Sequence, residues 1–382
     1  MLLALSSDQE FFRETTARFL KEHVPVGRLR ELRRDPAGYD PGYWRKGADL
    51  GWTSLLVGEE HGGGTISGAG IVDLGVVAHE FGRHAAAGPL LPTNVVAAAL
   101  SAAGGDAHAA LLAGLLDGTS VATWCLAERA PHDRLGAVTL AIRVDGDELV
   151  LDGEKRPVES AAESSHLLVT GRTGDGLTQV LVPTDAPGIS VSPMHTIDTT
   201  RRFSVVRFDD VRVPADAALG QVGKADEDVE RQLQLALVVL NAEAVGAMQT
   251  AFDMTVEWAS DRYSFGRPLS SYQALKHRFA DMKSWLEASH AISDEAAAAV
   301  AAGTPDAAVL VSAAKAFIGD YGAELMQDCV QLHGGIGVTF EHDLHLYFRR
   351  HTLDRALYGT PAEHRRRIVD LIEQQEQQEE RA

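Results

Sequence analysis

Two stretches in the last third of the chain decide the fold: RYSFGRPLSSYQALKHRFADM (residues 262–282) and QLHGGIGVTFEHDLHLYFRR (residues 331–350). A long periodic helical segment precedes the first stretch, and Gly266 and Pro268 predict that this helix ends there. Ala-rich segments with few glycines follow, so both stretches are expected to lie at the ends of long helices. Long helices with polar connections indicate an antiparallel bundle.

The first stretch also predicts where the next helix begins. Ser270 or Ser271 can cap that helix, which puts Gln273 in its first turn. A helix start offers backbone N–H groups, and Arg262 and Arg267 add guanidinium donors, a combination that suits a pyrophosphate. A plain helix–turn–helix with solvated arginines has the same composition, so the motif alone leaves both interpretations open.

The second stretch places Gly334, Gly335 and Gly337 directly after a helix. Three glycines in four positions indicate that the backbone closely approaches another group. The alternative is an ordinary glycine C-cap of the helix, followed by further glycines that have no role in binding. The preceding His333 is interpreted as a packing histidine rather than a catalyst.

The whole chain divides into three blocks that differ in composition and hydrophobic pattern. Residues 1–119 predict an N-terminal helical domain, residues 120–222 a middle β domain, and residues 223–382 a C-terminal helical bundle domain. Ser7 and Glu10 predict a capping box at the first helix. No strand is followed by a GxGxxG motif that opens a helix, so the pattern argues against a dinucleotide-binding α/β fold.

Turn sequences between apolar runs define the middle block. DGD (residues 145–147) and TGDG (residues 173–176) each separate two strand-like segments, which is typical of β-hairpins. Short antiparallel strands at this spacing predict a small barrel or a sandwich. The expected fold class is therefore α+β and multidomain, with an N-terminal all-α domain, a middle antiparallel β-barrel and a C-terminal four-helix bundle.

Composition excludes several kinds of function. The 382 residues carry a formal charge of −19, which repels phosphate backbones and anionic lipid, so we expect neither nucleic-acid nor membrane binding. The N-terminus lacks the features of a signal peptide, and a cytoplasmic location is expected. Cys125 and Cys329 are too few and too far apart for a disulfide framework or a zinc site, and no metal site is predicted.

The two decisive stretches, at this spacing, resemble the acyl-CoA dehydrogenase family. LGWTSLLVGEEHGGG (residues 50–64) is similar to the N-terminal domain of that family, and the helical–β–helical order agrees over nearly the whole chain. The resemblance implies an FAD cofactor, a ligand that is an acyl thioester of CoA or of a carrier protein, and a dimer or tetramer. In this family the adenine–diphosphate end of FAD is held largely across a subunit interface. The resemblance assigns FAD binding to Arg262, Phe265, Gln273, Gln331, Gly334, Gly335 and Thr360.

The positions that face the flavin ring in the family are altered. A threonine that would bond the ring is replaced by Ala127, and of that loop's motif only Glu128 is retained. A tryptophan that packs on the flavin is replaced by Pro157. The hydroxyl residue two positions later is replaced by Glu159, a carboxylate poorly matched to an electron-rich reduced flavin.

The catalytic base of the family is also missing. The glutamate expected before Gly-Thr is Tyr358, and the alternative glutamate on the long helix is Ala236. Glu243 lies seven residues further on, about 10 Å along the helix, and could serve only if the acyl chain lay deeper than usual. Tyr358 and Glu243 are therefore weak candidates, because a phenol is a poor base and Glu243 also suits a buried network.

Three functions remain open. The retained diphosphate residues and the degraded ring residues match the subunits without a functional site in actinobacterial heterotetrameric acyl-CoA dehydrogenases, which act on bulky, often steroid-derived thioesters. In this first hypothesis the chain completes the FAD site of a catalytic homologue. The second is a self-sufficient flavoenzyme with a non-standard base, and the third is a flavin-free acyl-thioester binding or scaffold protein. An active assembly is expected to pass electrons to electron-transfer flavoprotein.

The apolar surface of the long helices predicts the oligomeric state. Several apolar residues lie around more than one side of the first bundle helix, and residues 296–302 hold only Ala and Val. We therefore expect this face to be covered by other subunits, in a tetramer. The residues concerned on the first bundle helix are Val238, Val239, Leu240, Val245 and Met248.

Overall fold

The computed structural model describes residues 5–32, 35, 37–104, 107–128, 138–174 and 176–380. Within these ranges the chain runs from helices through a sheet to helices again. The helices are α1 (Ser7–His23), α2 (Val26–Leu32), α3 (Pro41–Asp49), α4 (Gly70–His84), α5 (Leu90–Ala103), α6 (Ala109–Leu116), α7 (Asp226–Asp261), α8 (Gln273–Ala302), α9 (Ala307–His333), α10 (Leu344–Ala356) and α11 (Pro361–Glu379). The strands are β1 (Ala122–Cys125), β2 (Ala141–Asp145), β3 (Glu148–Glu159), β4 (His166–Thr173), β5 (Gly176–Pro183), β6 (Ile189–Met194), β7 (Phe203–Pro214), β8 (Ala218–Leu219), β9 (Tyr263–Ser264) and β10 (Arg267–Pro268).

The first helix is capped one residue earlier than the sequence predicts. Ser6 is the N-cap, and its hydroxyl accepts a hydrogen bond from the Gln9 backbone N–H while the Gln9 side chain accepts one from the Ser6 N–H. The expected pair of Ser7 and Glu10 is therefore wrong by one position. Both pairs satisfy the capping-box pattern, and Gln9 is the one selected because its amide also donates to the buried Asp73 carboxylate (2.8 Å).

The middle region forms one eight-stranded sheet in the order β6-β7-β3-β2-β4-β5-β8, with β1 paired beside β4. Both predicted hairpins are present, because Asp145 pairs with Glu148 and Thr173 pairs with Gly176. The sheet differs from the all-antiparallel prediction, since both β1 and β2 run parallel to β4 and make the sheet mixed. Between β1 and β4 the chain forms β2 and β3, which provide the long connection that parallel neighbouring strands require.

The N-terminal and C-terminal helices share one apolar core, and the sheet holds a second. The residues predicted to face other subunits are in this shared core: Val238, Val239, Leu240, Val245 and Met248 are at most 1% exposed. Glycines allow α4 to cross α7 closely, because a Cβ at Gly82 or Gly246 would collide with the backbone of the other helix. The predicted subunit contact at these five positions is therefore wrong, since the chain covers them itself.

Helix α7 is the one described helix that is long and apolar enough to cross a membrane. Of its most apolar window, 78% is buried inside the protein, as in a core helix of a folded domain. Both cysteines, Cys125 and Cys329, are buried and carry free thiols.

Candidate functional site

A cavity of about 450 Å³ opens where α7 ends and α9 ends. On one side it is lined by the end of α7 and the segment that follows, including Arg262, and on the other by residues 331–336. Its volume lies within the range of roughly 300–1,000 Å³ that is usual for small-molecule sites. The structure thus brings Gln331, Gly334 and Gly335 beside Arg262, as the two sequence stretches suggest. We call this cavity the diphosphate groove.

A rigid hairpin forms the outer edge of the groove. Strands β9 and β10 pair antiparallel, and the two residues between them, Phe265 and Gly266, have φ of 50° and 79°, as a tight hairpin turn requires. The Tyr272 hydroxyl donates to the Ser264 carbonyl (2.7 Å) and braces the hairpin from below. Phe265 at the tip is 98% exposed. The braced turn thus holds the Phe265 side chain in solvent at the edge of the groove.

The start of α8 differs from its prediction. Neither Ser270 nor Ser271 is the N-cap, because a short 3₁₀ turn occupies Leu269–Ser271 and Tyr272 takes the N-cap position with no side-chain cap bond. Gln273 is the first residue of α8 and is exposed, within 3.2 Å of the His277 imidazole. The uncapped helix start leaves backbone N–H groups for an anion.

The residues expected at the flavin ring are engaged with other protein groups. The Glu159 carboxylate accepts two hydrogen bonds from the Arg201 guanidinium, of 2.7 and 2.6 Å, and both side chains are 3% exposed. Burial raises the pKa of Glu159 above its usual range, against the opposing charge of Arg201. Arg201 comes from the connection before β7 and carries no sequence motif. The only signal for it was Glu159 itself, a carboxylate in a buried strand that needs a cation.

Glu243 belongs to the same buried network. Its carboxylate accepts from Arg350 and lies 3.5 Å from Arg201. Arg350 is fully buried and also donates to Asp198 (2.5 Å), Thr200 (2.5 Å) and two backbone carbonyls of the N-terminal region. The network therefore joins all three regions of the chain. We call it the interdomain ion network. Glu243 has the role of a network carboxylate rather than that of an exposed base.

One further acid belongs to the network. Asp354 accepts a hydrogen bond from Arg201 (2.8 Å) and is 1% exposed. Burial, followed by the neighbouring Glu243 carboxylate, raises the pKa of Asp354 well above its usual value, against the charge of Arg201. Arg201 therefore faces three buried acids, Glu159, Glu243 and Asp354.

The other two positions for a base offer no carboxylate. Tyr358 is 7% exposed and packs its ring on Trp124, with ring centroids 5.1 Å apart. Burial raises the pKa of the Tyr358 phenol far above its usual range, so the phenolate is disfavoured further. Ala236 is fully buried on α7. Neither position supplies a group that could take an α-proton at neutral pH.

Thr360 and Glu128 are occupied by structural bonds. The Thr360 backbone N–H and hydroxyl both donate to the Glu363 carboxylate (2.6 Å each), and the Glu363 N–H donates back to the hydroxyl, a capping box for α11. Glu128 accepts from the buried Lys155 ammonium (2.6 Å). Burial opposes ionisation of Glu128, but Lys155 and further hydrogen bonds keep its pKa below the usual value. The rest of the family's ring-side loop, residues 129–137, lies outside the described residues.

The two halves of the expected flavin site therefore differ in fit. The diphosphate groove fits the diphosphate end of FAD, because the exposed Arg262 and the backbone of Gly334 and Gly335 line it together. The ring side does not fit, because Ala127 has no hydroxyl, Glu159 is committed to Arg201, and Tyr358 packs against Trp124.

Comparison with known families gives a match in each third of the chain. The N-terminal, middle and C-terminal domains of acyl-CoA dehydrogenase match residues 6–119, 126–211 and 228–372. Two relatives are both named acyl-CoA dehydrogenase IpdE2. That of Mycobacterium tuberculosis is 31% identical over 96% of this chain and 97% of its own, and that of Mycolicibacterium smegmatis is 30% identical over 95% and 98%.

Solved structures agree with the sequence comparison. A variant of the Tcur3481-Tcur3483 steroid acyl-CoA dehydrogenase superimposes with a TM-score of 0.87 at 30% identity, over 96% of this chain and 98% of that one. Butyryl-CoA dehydrogenase from Megasphaera elsdenii superimposes equally well, with a TM-score of 0.87 at 24% identity over 97% and 100%, and shows the shared fold. The fold class predicted from the sequence is confirmed.

Proposed function

The chain belongs to the acyl-CoA dehydrogenase family, oxidoreductases that act on CH–CH bonds, and we propose that it is a subunit that completes the FAD site of a catalytic homologue. In this proposal the diphosphate groove of the chain binds the diphosphate end of an FAD whose flavin ring is held by the neighbouring subunit. The neighbour carries out α,β-dehydrogenation of the acyl thioester, and FAD supplies the acceptor for the hydride.

One observation carries the proposal, namely the contrast between the two halves of the site within a single chain. The groove is open and exposes Arg262, whereas the ring-side residue Glu159 is buried in an ion pair with Arg201. A self-sufficient enzyme needs both halves. A chain that serves only a neighbour's flavin needs the groove alone.

The surroundings of the groove support a homologous subunit as partner. Besides Phe265, the exposed apolar residues Tyr263, Val338 and Phe340 come from the two segments that form it. Large exposed apolar side chains clustered around a ligand groove are typical of an interaction surface. We propose that assembly, as a tetramer, uses this surface in place of the five core residues of α7 that the sequence suggested.

Relatives suggest the substrate class and the cellular setting. The Tcur3481-Tcur3483 protein, at 30% identity, is a steroid acyl-CoA dehydrogenase. We propose that the assembly containing this chain acts in the cytoplasm on a bulky, steroid-derived acyl thioester and passes electrons to electron-transfer flavoprotein.

The visible absorption spectrum of two preparations tests the proposal. The chain is purified alone, and also after co-expression with an acyl-CoA dehydrogenase homologue from the same genome. We expect no flavin band for the chain alone and a flavin band, bleached by the acyl-CoA substrate, for the co-purified assembly. A flavin band bleached by acyl-CoA in the chain alone would contradict the proposal and favour a self-sufficient enzyme. No flavin in either preparation would favour a flavin-free binding protein.

A further inference from the structure

The floor of the diphosphate groove is an aromatic stack that neither sequence stretch singled out. Trp258 lines the groove and is half-buried, and its ring stacks on His333 with centroids 5.3 Å apart and an interplanar angle of 21°. His342 closes the stack, 4.5 Å from His333 and edge-on to Trp258 at 6.1 Å. Three rings in mutual contact hold the indole in one orientation.

His333 is itself fixed. Its Nδ1 lies 2.7 Å from the Cys329 carbonyl, so Nδ1 carries the proton and donates. Burial lowers the pKa of His333, against the hydrogen bond to the Cys329 carbonyl. Its Nε2 is buried and has no hydrogen-bond partner among the described residues. The ring is thus held by one hydrogen bond and by stacking, which makes it a support for the indole.

The stack lies one helical turn from the cation of the groove. Trp258 lies in the last turn of α7, and Arg262 follows directly as the C-cap, where its backbone N–H donates to the Trp258 carbonyl (2.9 Å). The two residues are therefore one helical turn apart, about 6 Å along the axis. An aromatic surface and a guanidinium at this separation match the two ends of a nucleoside phosphate, because a ribose separates the base from its first phosphate. Aromatic side chains bind bases by stacking whatever the base sequence.

We propose that Trp258 is the stacking partner of the ligand's purine base and that His333 is a positioning residue that holds the indole. This inference rests on the proposed function, since the ligand concerned is the adenosine end of FAD. It adds a specific contact to the base beside the contact of Arg262 to the phosphates.

The test uses the flavin-containing assembly. Release of FAD on dilution is followed by recovery of flavin fluorescence, and ADP or inorganic pyrophosphate is added as a competitor of FAD rebinding. Trp258→Leu is expected to weaken FAD and ADP binding about five- to a hundredfold and to leave competition by pyrophosphate unchanged. Trp258→Phe keeps an aromatic face and is expected to retain most of the affinity. Trp285→Leu, at another half-buried tryptophan packed near Tyr321, is the matched control and is expected to change nothing.

Arg262→Ala separates the two proposals. Suppose that Arg262→Ala weakens the binding of FAD, ADP and pyrophosphate together, while Trp258→Leu leaves ADP binding unchanged. The stacking inference is then overturned and the proposed function stands. If Trp258→Leu weakens ADP and pyrophosphate equally, the indole acts on the shape of the whole groove and the inference is again overturned. If Arg262→Ala leaves all three ligands unaffected, the proposed use of the groove fails.

Discussion

The Arg201 guanidinium donates two parallel hydrogen bonds, of 2.7 and 2.6 Å, to the Glu159 carboxylate. Glu159 is at the position where a hydroxyl residue is expected beside the flavin ring in related proteins. Two parallel bonds from a planar guanidinium to a carboxylate are the strongest geometry that such a pair adopts. The pair leaves Glu159 no role toward a flavin, and it ties β3 to the interdomain ion network.

Arg201→Met is expected to destabilise the chain by about 3–5 kcal/mol, because it leaves the carboxylates of Glu159 and Asp354 buried without their cation. The double variant Arg201→Met with Glu159→Met is expected to regain part of that loss. Urea unfolding measures both. Arg212→Ala is the control, since Arg212 pairs with three acids on the surface and its loss is expected to matter far less. Equal losses for the two arginines would contradict the assigned role of the network.

Arg262→Ala is expected to reduce the FAD affinity of the assembled protein ten- to hundredfold, because it removes a charge-assisted hydrogen-bonding group of about 1.5–3 kcal/mol. Equilibrium dialysis of FAD gives the affinity. Arg267→Ala is the matched control on the same hairpin, since the Arg267 guanidinium lies 3.8 Å from the Tyr272 ring centroid and does not line the groove. An unchanged FAD content in the Arg262 variant would count against the assignment.

The chain alone is expected to show no dehydrogenase activity with butyryl-CoA or octanoyl-CoA. Abstraction of an α-proton requires a carboxylate within hydrogen-bond reach, and Glu243 is bound to Arg350 while Tyr358 is a buried phenol. A dye-reduction assay on the purified chain measures the activity. Robust turnover would contradict the prediction, and Glu243→Gln and Tyr358→Phe, tested separately, would then show which residue acts as the base.

The contribution of two buried histidines to the free energy of unfolding is expected to fall as pH decreases from about 6.5 towards 4. Burial lowers the pKa of His351 to about 4 and that of His364 to about 3, so the unfolded chain takes up protons in this interval that the folded chain does not. Each such histidine contributes up to about 1.4 kcal/mol per pH unit. Urea unfolding across this range should give a smaller slope for His351→Asn, whereas His195→Asn, at an exposed histidine, should leave the slope unchanged. Equal slopes for the unaltered chain and His351→Asn would show that the His351 imidazole stays accessible to protons in the folded chain.

Local patterns in the sequence predicted the parts of the site that lie close together along the chain. The Arg262 and Gly334 segments converge because each follows directly from a helix end, and helix ends are readable from glycine and proline. The partner of Glu159 was not predicted. Arg201 lies in a connection that carries no sequence motif, and its ion-pair partner Glu159 lies on strand β3. The five apolar residues of α7 were assigned to a subunit contact because sequence shows that a helix face must be covered but not whether α4 of the same chain covers it.

The ratio of FAD to polypeptide in the co-purified assembly tests the central claim most directly. In the proposed assembly, each flavin site would combine a ring side from one subunit with a diphosphate groove from its neighbour, and this chain would supply only the groove. The account predicts one FAD for each pair of polypeptides, lost on Arg262→Ala in this chain. One FAD for every polypeptide, with this chain's ring side occupied, would contradict it.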